Sequence, residues 1–284
     1  MNRCGWIIVL LLPMLVGCST VRLSYNQGPL LAYWWLDGYA DFNSEQAPKA
    51  KAALAQWVGW HRSTQLPDYA DALADLQGQL ADNVSPAQVC GQMQAWQKRI
   101  ERAFDQAMPA AAEQLRSLTP EQIRHIERQQ TQKLAEAEAD FLQDEPAERH
   151  KALLKRNVDR AETLYGSLNQ AQREVLAQAA AQSPFKPERW LAERRLRQQQ
   201  TLRHLRQWQA ERSDAATVQA GLRQWWAMAL VSPRPAYQSY ADSVTQANCA
   251  LSAAVHNAGG PAQRQRAVAK LKGWEDDLRA LFKR

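Results

Sequence analysis

One kind of helix start is written three times in this chain. Ser85-Pro86-Ala87-Gln88, Thr119-Pro120-Glu121-Gln122 and Asn169-Gln170-Ala171-Gln172 each set a capping side chain three residues before a glutamine. The cap oxygen accepts the amide proton of the third helical residue, and the glutamine reaches back to the cap's own amide. Proline is tolerated at the first helical position because its missing N–H would have no partner there. Val84 with Val89 and Leu118 with Ile123 add a hydrophobic staple to two of the starts. Gly260-Pro261-Ala262-Gln263 opens a last helix with a weaker cap. Between the starts the chain is rich in Ala, Leu, Gln, Arg and Glu, all strong helix formers. No stretch alternates β-branched and polar residues over the length of a strand. The expected fold is therefore all-α: an elongated multi-helix bundle of about ten helices, several joining across their breaks. The spans read 29–40, 45–62, 66–82, 86–107, 109–117, 120–143, 146–165, 170–182, 185–211, 214–231, 234–257 and 261–282. Pro109 either divides a helix or kinks a longer one. No linker interrupts residues 29–284, which read as a single all-helical domain.

The N-terminus carries a different signal. Met1-Asn2-Arg3 is a short positive region and Trp6 to Val16 is almost unbroken apolar sequence. A run of about 11 residues cannot cross a hydrocarbon core, which takes roughly 20. Leu15-Val16-Gly17-Cys18 resembles a bacterial lipobox. That resemblance implies removal of residues 1–17 as a signal peptide and acylation of Cys18 with palmitate-type chains. Several acyl chains anchor stably where one does not. Residues 18–28, closed by Gly28-Pro29, read as a tether. Ser19, standing where lipoproteins kept at the inner membrane carry Asp, implies the periplasmic face of the outer membrane. The membrane, reached through the lipid anchor, is the first expected partner.

Formal net charge is +6. In the periplasm, a modest positive charge suits anionic headgroups or cell-wall polymers, and nucleic acid is not an expected partner. Cys4 leaves with the leader and Cys18 is acylated, so Cys90 and Cys249 remain. An oxidising compartment favours a bridge between them. Closing a loop of that length contributes about 5 kcal/mol in the chain-entropy account. The alternative is two separately buried thiols.

Two surfaces qualify as candidate binding sites. Tyr33, Trp34, Trp35 and Tyr39 cluster near the anchor, with Asp37 among them. The plainest expectation is a short amphipathic helix whose aromatics plug the bundle. An interfacial belt and a ligand platform are the alternatives. Trp57 with Trp60, and Trp225 with Trp226, are expected in the core. The 185–211 helix carries Arg189, Arg194, Arg195, Arg197, Arg203 and Arg206 outside an apolar stripe of Trp190, Leu191, Leu202, Leu205 and Trp208. It reads either as an anion site, with Arg194, Arg195 and Arg197 as its centre, or as a solvated face paired with nearby glutamates.

Arg22-Leu23-Ser24-Tyr25-Asn26-Gln27 and Leu31-Ala32-Tyr33-Trp34-Trp35-Leu36-Asp37-Gly38-Tyr39 resemble the opening of an uncharacterised family of Gram-negative helical lipoproteins. The likeness continues through Arg189-Trp190-Leu191-Ala192-Glu193-Arg194 and Arg195-Leu196-Arg197-Gln198, and reaches the His256-Asn257 and Gln263-Arg264 stretch. It implies a helical outer-membrane lipoprotein and brings no reaction with it. Leu118-Thr119-Pro120-Glu121-Gln122 and Leu168-Asn169-Gln170-Ala171-Gln172 are similar to the Leu-Thr-x-x-Gln motif of periplasmic stress chaperones, the second with Asn for Thr.

His61, His125, His150, His204 and His256 are scattered, and none sits in a His-Glu-x-x-His helix. There is no phosphate-binding glycine loop and no Gly-x-Ser-x-Gly elbow. No metal and no cofactor are expected. The reading is a non-catalytic envelope binding or adaptor module, with an envelope protein, lipopolysaccharide or peptidoglycan as candidate partners. A holdase-type chaperone or stress sensor is the alternative, and a cell-wall enzyme built on a carboxylate pair is the next.

Overall fold

A computed structural model describes residues 20–283. The leader and Cys18 lie outside the described residues. Twelve α-helices and no strand occur among those described. They are α1 Thr20–Asn26, α2 Gly28–Ala40, α3 Gln46–Trp60, α4 Leu66–Gln79, α5 Pro86–Arg116, α6 Pro120–Phe141, α7 Pro146–Tyr165, α8 Gln170–Ala181, α9 Pro187–Ala210, α10 Ala215–Leu230, α11 Pro235–Asn257 and α12 Pro261–Phe282. The all-α bundle is as the helix starts require, and the three full capping boxes form at Ser85, Thr119 and Asn169.

Three boundaries differ from the sequence reading. Pro109 neither splits a helix nor ends one, because α5 runs through it for 31 residues. Its ring is exposed, while the flanking Met108 and Ala112 are buried. The carbonyl that loses a partner at Pro109 can therefore be solvated, and packing holds the helix together. The break expected after residue 62 is instead a π-helical turn, His61–Gln65, joining α3 to α4. Ser63 and Thr64 hydroxyls donate back to the Gly59 and Trp60 carbonyls there, competing with the α-helical ladder. The tether expected over 18–28 is helical from Thr20 to Asn26. Arg22 Nε donates to the buried Asp277 of α12 at 2.8 Å, and Arg62 donates to Asn26 at 3.0 Å. The Tyr25 hydroxyl lies 2.8 Å from His61 Nδ1. Burial raises Tyr25 to about 12 and lowers His61. Both shifts favour the uncharged forms, so the phenol and the imidazole share one neutral hydrogen bond.

Two main buried clusters organise the helices. One gathers Leu73, Leu80, Tyr165, Leu168, Leu176, Val255 and Leu271 from α4, α7, α8, α11 and α12 and their flanks. The other gathers Ala112, Leu118, Ile123, Leu202, Leu205, Trp208 and Val218 around α5, α6, α9 and α10. Helix α5 serves both, with Trp96 against the first and Ala112 in the second. Cys90 near its start is bonded to Cys249 of α11, with the Cα atoms 5.5 Å apart. Gly221 lets α10 close on Trp208: a Cβ there would lie 2.4 Å from the indole.

The helix starts also join in pairs. Gln122 and Gln46 exchange hydrogen bonds, and Gln46 Nε2 also donates to the Ser117 carbonyl at 2.8 Å. Half the chain away, Gln263 Nε2 donates to Gln172 Oε1 and, at 2.8 Å, to the Ser167 carbonyl. All four glutamines are buried. Each clasp thus seals two helix N-termini against each other and leaves few buried amides unpaired. The chaperone-like motif is accounted for here as a packing device.

Candidate functional site

Three surfaces stand out, and two of them meet at Trp190. The first is a groove of about 360 Å³ lined by Trp35 and Tyr39 of α2, Gln130 of α6, Trp190, Glu193, Arg194, Arg197, Gln198 and Thr201 of α9, Trp225 of α10 and Tyr237 of α11. It unites the aromatic cluster near the N-terminus with the arginine-rich helix, far along the chain. Of the stretches that carry the family likeness, 31–39 and 189–198 contribute to it.

Its electrostatics centre on Glu193, which is 3 % exposed. Arg197 Nε donates to it at 2.9 Å, Arg234 Nε at 2.8 Å and the Ser232 hydroxyl at 3.1 Å. Burial by itself pushes this carboxyl up, but the bonds from Arg234 and Arg197 outweigh it and hold it below its usual range. Glu193 is therefore an ionised structural hub that orients Arg197 beside the Tyr237 ring. Arg194 rides over Trp190, 5.6 Å from the ring centroid. Trp35 leans on Tyr39 at 5.2 Å. Trp225 donates its ring N–H to Thr201 at 3.0 Å. Gln130 Oε1 is buried without a partner among the described residues.

The other expected site residues go elsewhere. Arg195 pairs with Glu138 of α6, and Arg206 with Glu127. Asp37 accepts from the Phe42 amide at 3.0 Å and closes the end of α2. Asp41 beyond it takes a left-handed turn, φ 49°, whose carbonyl accepts from Gln122. Asp37 thus serves the fold. Of the aromatic cluster, only Tyr33 plugs the bundle, stacked on Phe42 with Lys51 over its ring.

The second surface is the outer face of α1 and α2. Ten large apolar side chains are exposed among the described residues, and six of them lie between Val21 and Trp35. Trp34 is 58 % exposed and Trp35 66 %. Leu30, Leu31 and Trp34 share one face by their one- and three-residue spacing, and Leu23 precedes Leu30 by two turns. The bonds Gln27 N–H to Leu23 O and Leu31 N–H to Gln27 O carry the ladder across the joint between the two helices. The interfacial alternative for these tryptophans therefore fits the geometry, and the core expectation fails for both.

The third surface is a larger groove, about 660 Å³, on the other side of Trp190. Sequence reasoning missed it. Its one legible trace was Arg156 and Arg160, four residues apart on α7.

A family of unknown function (DUF6279) matches residues 38–227, and the chain belongs to that family. The match takes in most of the first groove, from Tyr39 to Trp225, and leaves out Trp35 and Tyr237. No curated protein matches, and no solved structure does. Among the described residues, no group of three His, Cys, Asp or Glu side chains is placed to hold a metal ion. No helix among them is long and apolar enough to cross a membrane.

Proposed function

We propose that this is a non-catalytic envelope lipoprotein, held through Cys18 at the periplasmic face of the outer membrane and lying against the bilayer along α1 and α2. The observation that carries the reading is the exposed apolar face of those helices, which begins three residues after Cys18 in the sequence. A single acyl chain binds only marginally, and a second membrane signal makes attachment durable. Leu30, Leu31 and Trp34 would supply it, since burying such a side chain contributes about 1.5–3 kcal/mol at most. Tryptophan favours the headgroup zone. The Cys90–Cys249 bridge suits an oxidising compartment. The groove at Trp35, Arg194 and Arg197 would then open beside the membrane surface, positioned for an envelope partner. Two buried titratable groups serve packing: Glu193 holds arginines, and His256 spans Tyr165 and the Asp82 carbonyl.

Fractionation tests this. The wild type, Cys18→Ala and Cys18→Ala with Leu31→Ser and Trp34→Ser are compared, both variants on a cleavable secretory leader. Wild type is expected to stay with membranes through an alkaline wash. Cys18→Ala is expected to bind weakly, and the combined variant to be released. Equal retention of all three overturns the reading, as does an intact mass of native protein that lacks acyl adducts.

A further inference from the structure

The larger groove runs between α7, α8 and α11, and is closed at one end by the α6 terminus and the loop into α9. Its lining is mostly apolar, with Leu153, Val175, Val244, Leu251 and a row of alanines, interrupted by Asn157, Gln178, Gln182, Ser183 and Asn248. Phe141, Phe185 and Trp190 form an aromatic end wall, with ring centroids 4.9 to 6.3 Å apart. One rim carries Arg156 and Arg160, and no carboxylate lines the groove. Arg156 lies 4.4 Å over the Phe141 ring and donates to the Asp140 carbonyl at 3.3 Å. Its second terminal nitrogen has no partner among the described residues, and Arg160 has no ion pair or hydrogen bond there. Burial lowers Arg156, and the neighbouring Arg160 lowers it further, while the Asp140 carboxylate opposes them from outside the groove. Two guanidinium groups that repel each other thus stand beside an apolar trough whose lining offers them no carboxylate. The volume suits a small molecule, since such sites run about 300–1,000 Å³ with apolar walls and a few placed polar groups.

The geometry points to a binding site for a lipid that carries one acyl chain and a phosphate headgroup. The chain lies along Leu251 and Val175 toward the aromatic wall. The phosphate takes both guanidinium groups, whose planar forks suit its oxygens. No residue of α1 or α2 lines this groove. It is therefore independent of the membrane-docking reading, and an anchor that failed would leave it standing.

Calorimetric titration of the full mature chain carrying Cys18→Ala tests it, with lipids kept as monomers. The probe is 1-palmitoyl-lysophosphatidylglycerol. Monopalmitoylglycerol supplies the chain without the charge, and glycerol 3-phosphate the charge without the chain. Each is expected to bind at least tenfold more weakly than the probe. Arg156→Gln with Arg160→Gln should weaken the probe at least tenfold and leave monopalmitoylglycerol unchanged. Ala250→Trp should block probe and monopalmitoylglycerol together; the site is exposed, so folding is retained. Probe binding that equals monopalmitoylglycerol binding, survives the double arginine change, or persists in Ala250→Trp overturns the proposal. So does no binding at all. Equal binding by glycerol 3-phosphate assigns the site to a free phosphate compound and also overturns it.

Discussion

Trp34-Trp35 on α2 and Trp225-Trp226 on α10 are the same dipeptide with opposite fates. Trp226 stacks on Phe104 of α5, with ring centroids 4.2 Å apart, and Trp225 donates to Thr201 of α9. Helix α10 has neighbours on both sides, so two rings about 100° apart around the axis each meet a partner. Helix α2 buries Tyr33 instead and turns both tryptophans outward. Helix α2 also has two neighbours, α3 and α6, but they lie on its Tyr33 side. An adjacent aromatic pair is thus covered only where the neighbouring helices lie on its own side.

The largest expected effect bears on α5, the helix that carries the ring Trp226 stacks on. Reducing Cys90–Cys249, which staples α5 to α11, should cost up to about 5 kcal/mol in a denaturant titration. Tryptophan emission should shift on unfolding, with little contribution from Trp34 and Trp35, which are already exposed. Next, Trp226→Ala should cost about 3 kcal/mol, the low end for aromatic truncation because the ring is only half-buried. A loss under 1 kcal/mol would erase the contrast between the pairs.

Acid sharpens the comparison on the α10 side, where Glu193 neighbours Trp225 in the groove. His61 and His256 are held below their ordinary 6.5 by burial. For these neutral bases the unfolded chain takes up protons first, so stability is complete above pH 6.5 and declines below it. Glu193 is held below 4.5, so its contribution is intact above that pH and is lost as pH falls through its lower folded value. Thermal melts should show both declines, and His256→Gln should remove part of the first. Gly221→Ala should destabilise by roughly 1–3 kcal/mol through overpacking on Trp208. Smallest of all, Trp34→Ser and Trp35→Ser should change folding stability by no more than about 0.5 kcal/mol. They should still reduce flotation with phosphatidylethanolamine–phosphatidylglycerol vesicles. Stability that dropped as it does for Trp226→Ala would mean that the outer pair is core after all.

Much of the fold was legible in local chemistry. The capping boxes at Ser85, Thr119 and Asn169 fixed three helix starts, because cap and glutamine lie within one turn. The apolar stripe of α9 was also legible, and Leu191, Leu202, Leu205 and Trp208 are buried as its spacing implied. Pro109 left two readings open, a split or one longer helix, and packing at Met108 and Ala112 decided for the longer helix. The candidate site was half legible. Trp35, Arg194 and Arg197 were singled out and do line one groove, whereas Asp37 closes its own helix end at Phe42 and Arg195 pairs with Glu138, 57 residues away.

By itself the sequence determined helix content, helix starts and the lipobox-like leader, because each depends on groups only a few residues apart. Tertiary structure alone decided which faces are covered. Gln46 meets Gln122 across 76 residues, Gln172 meets Gln263 across 91, and Cys90 meets Cys249 across 159. A helix carries its own hydrogen bonds, but the burial of any one of its sides depends on a neighbour supplied from far along the chain. That is why Trp34 and Trp226 could not be told apart until the bundle was assembled.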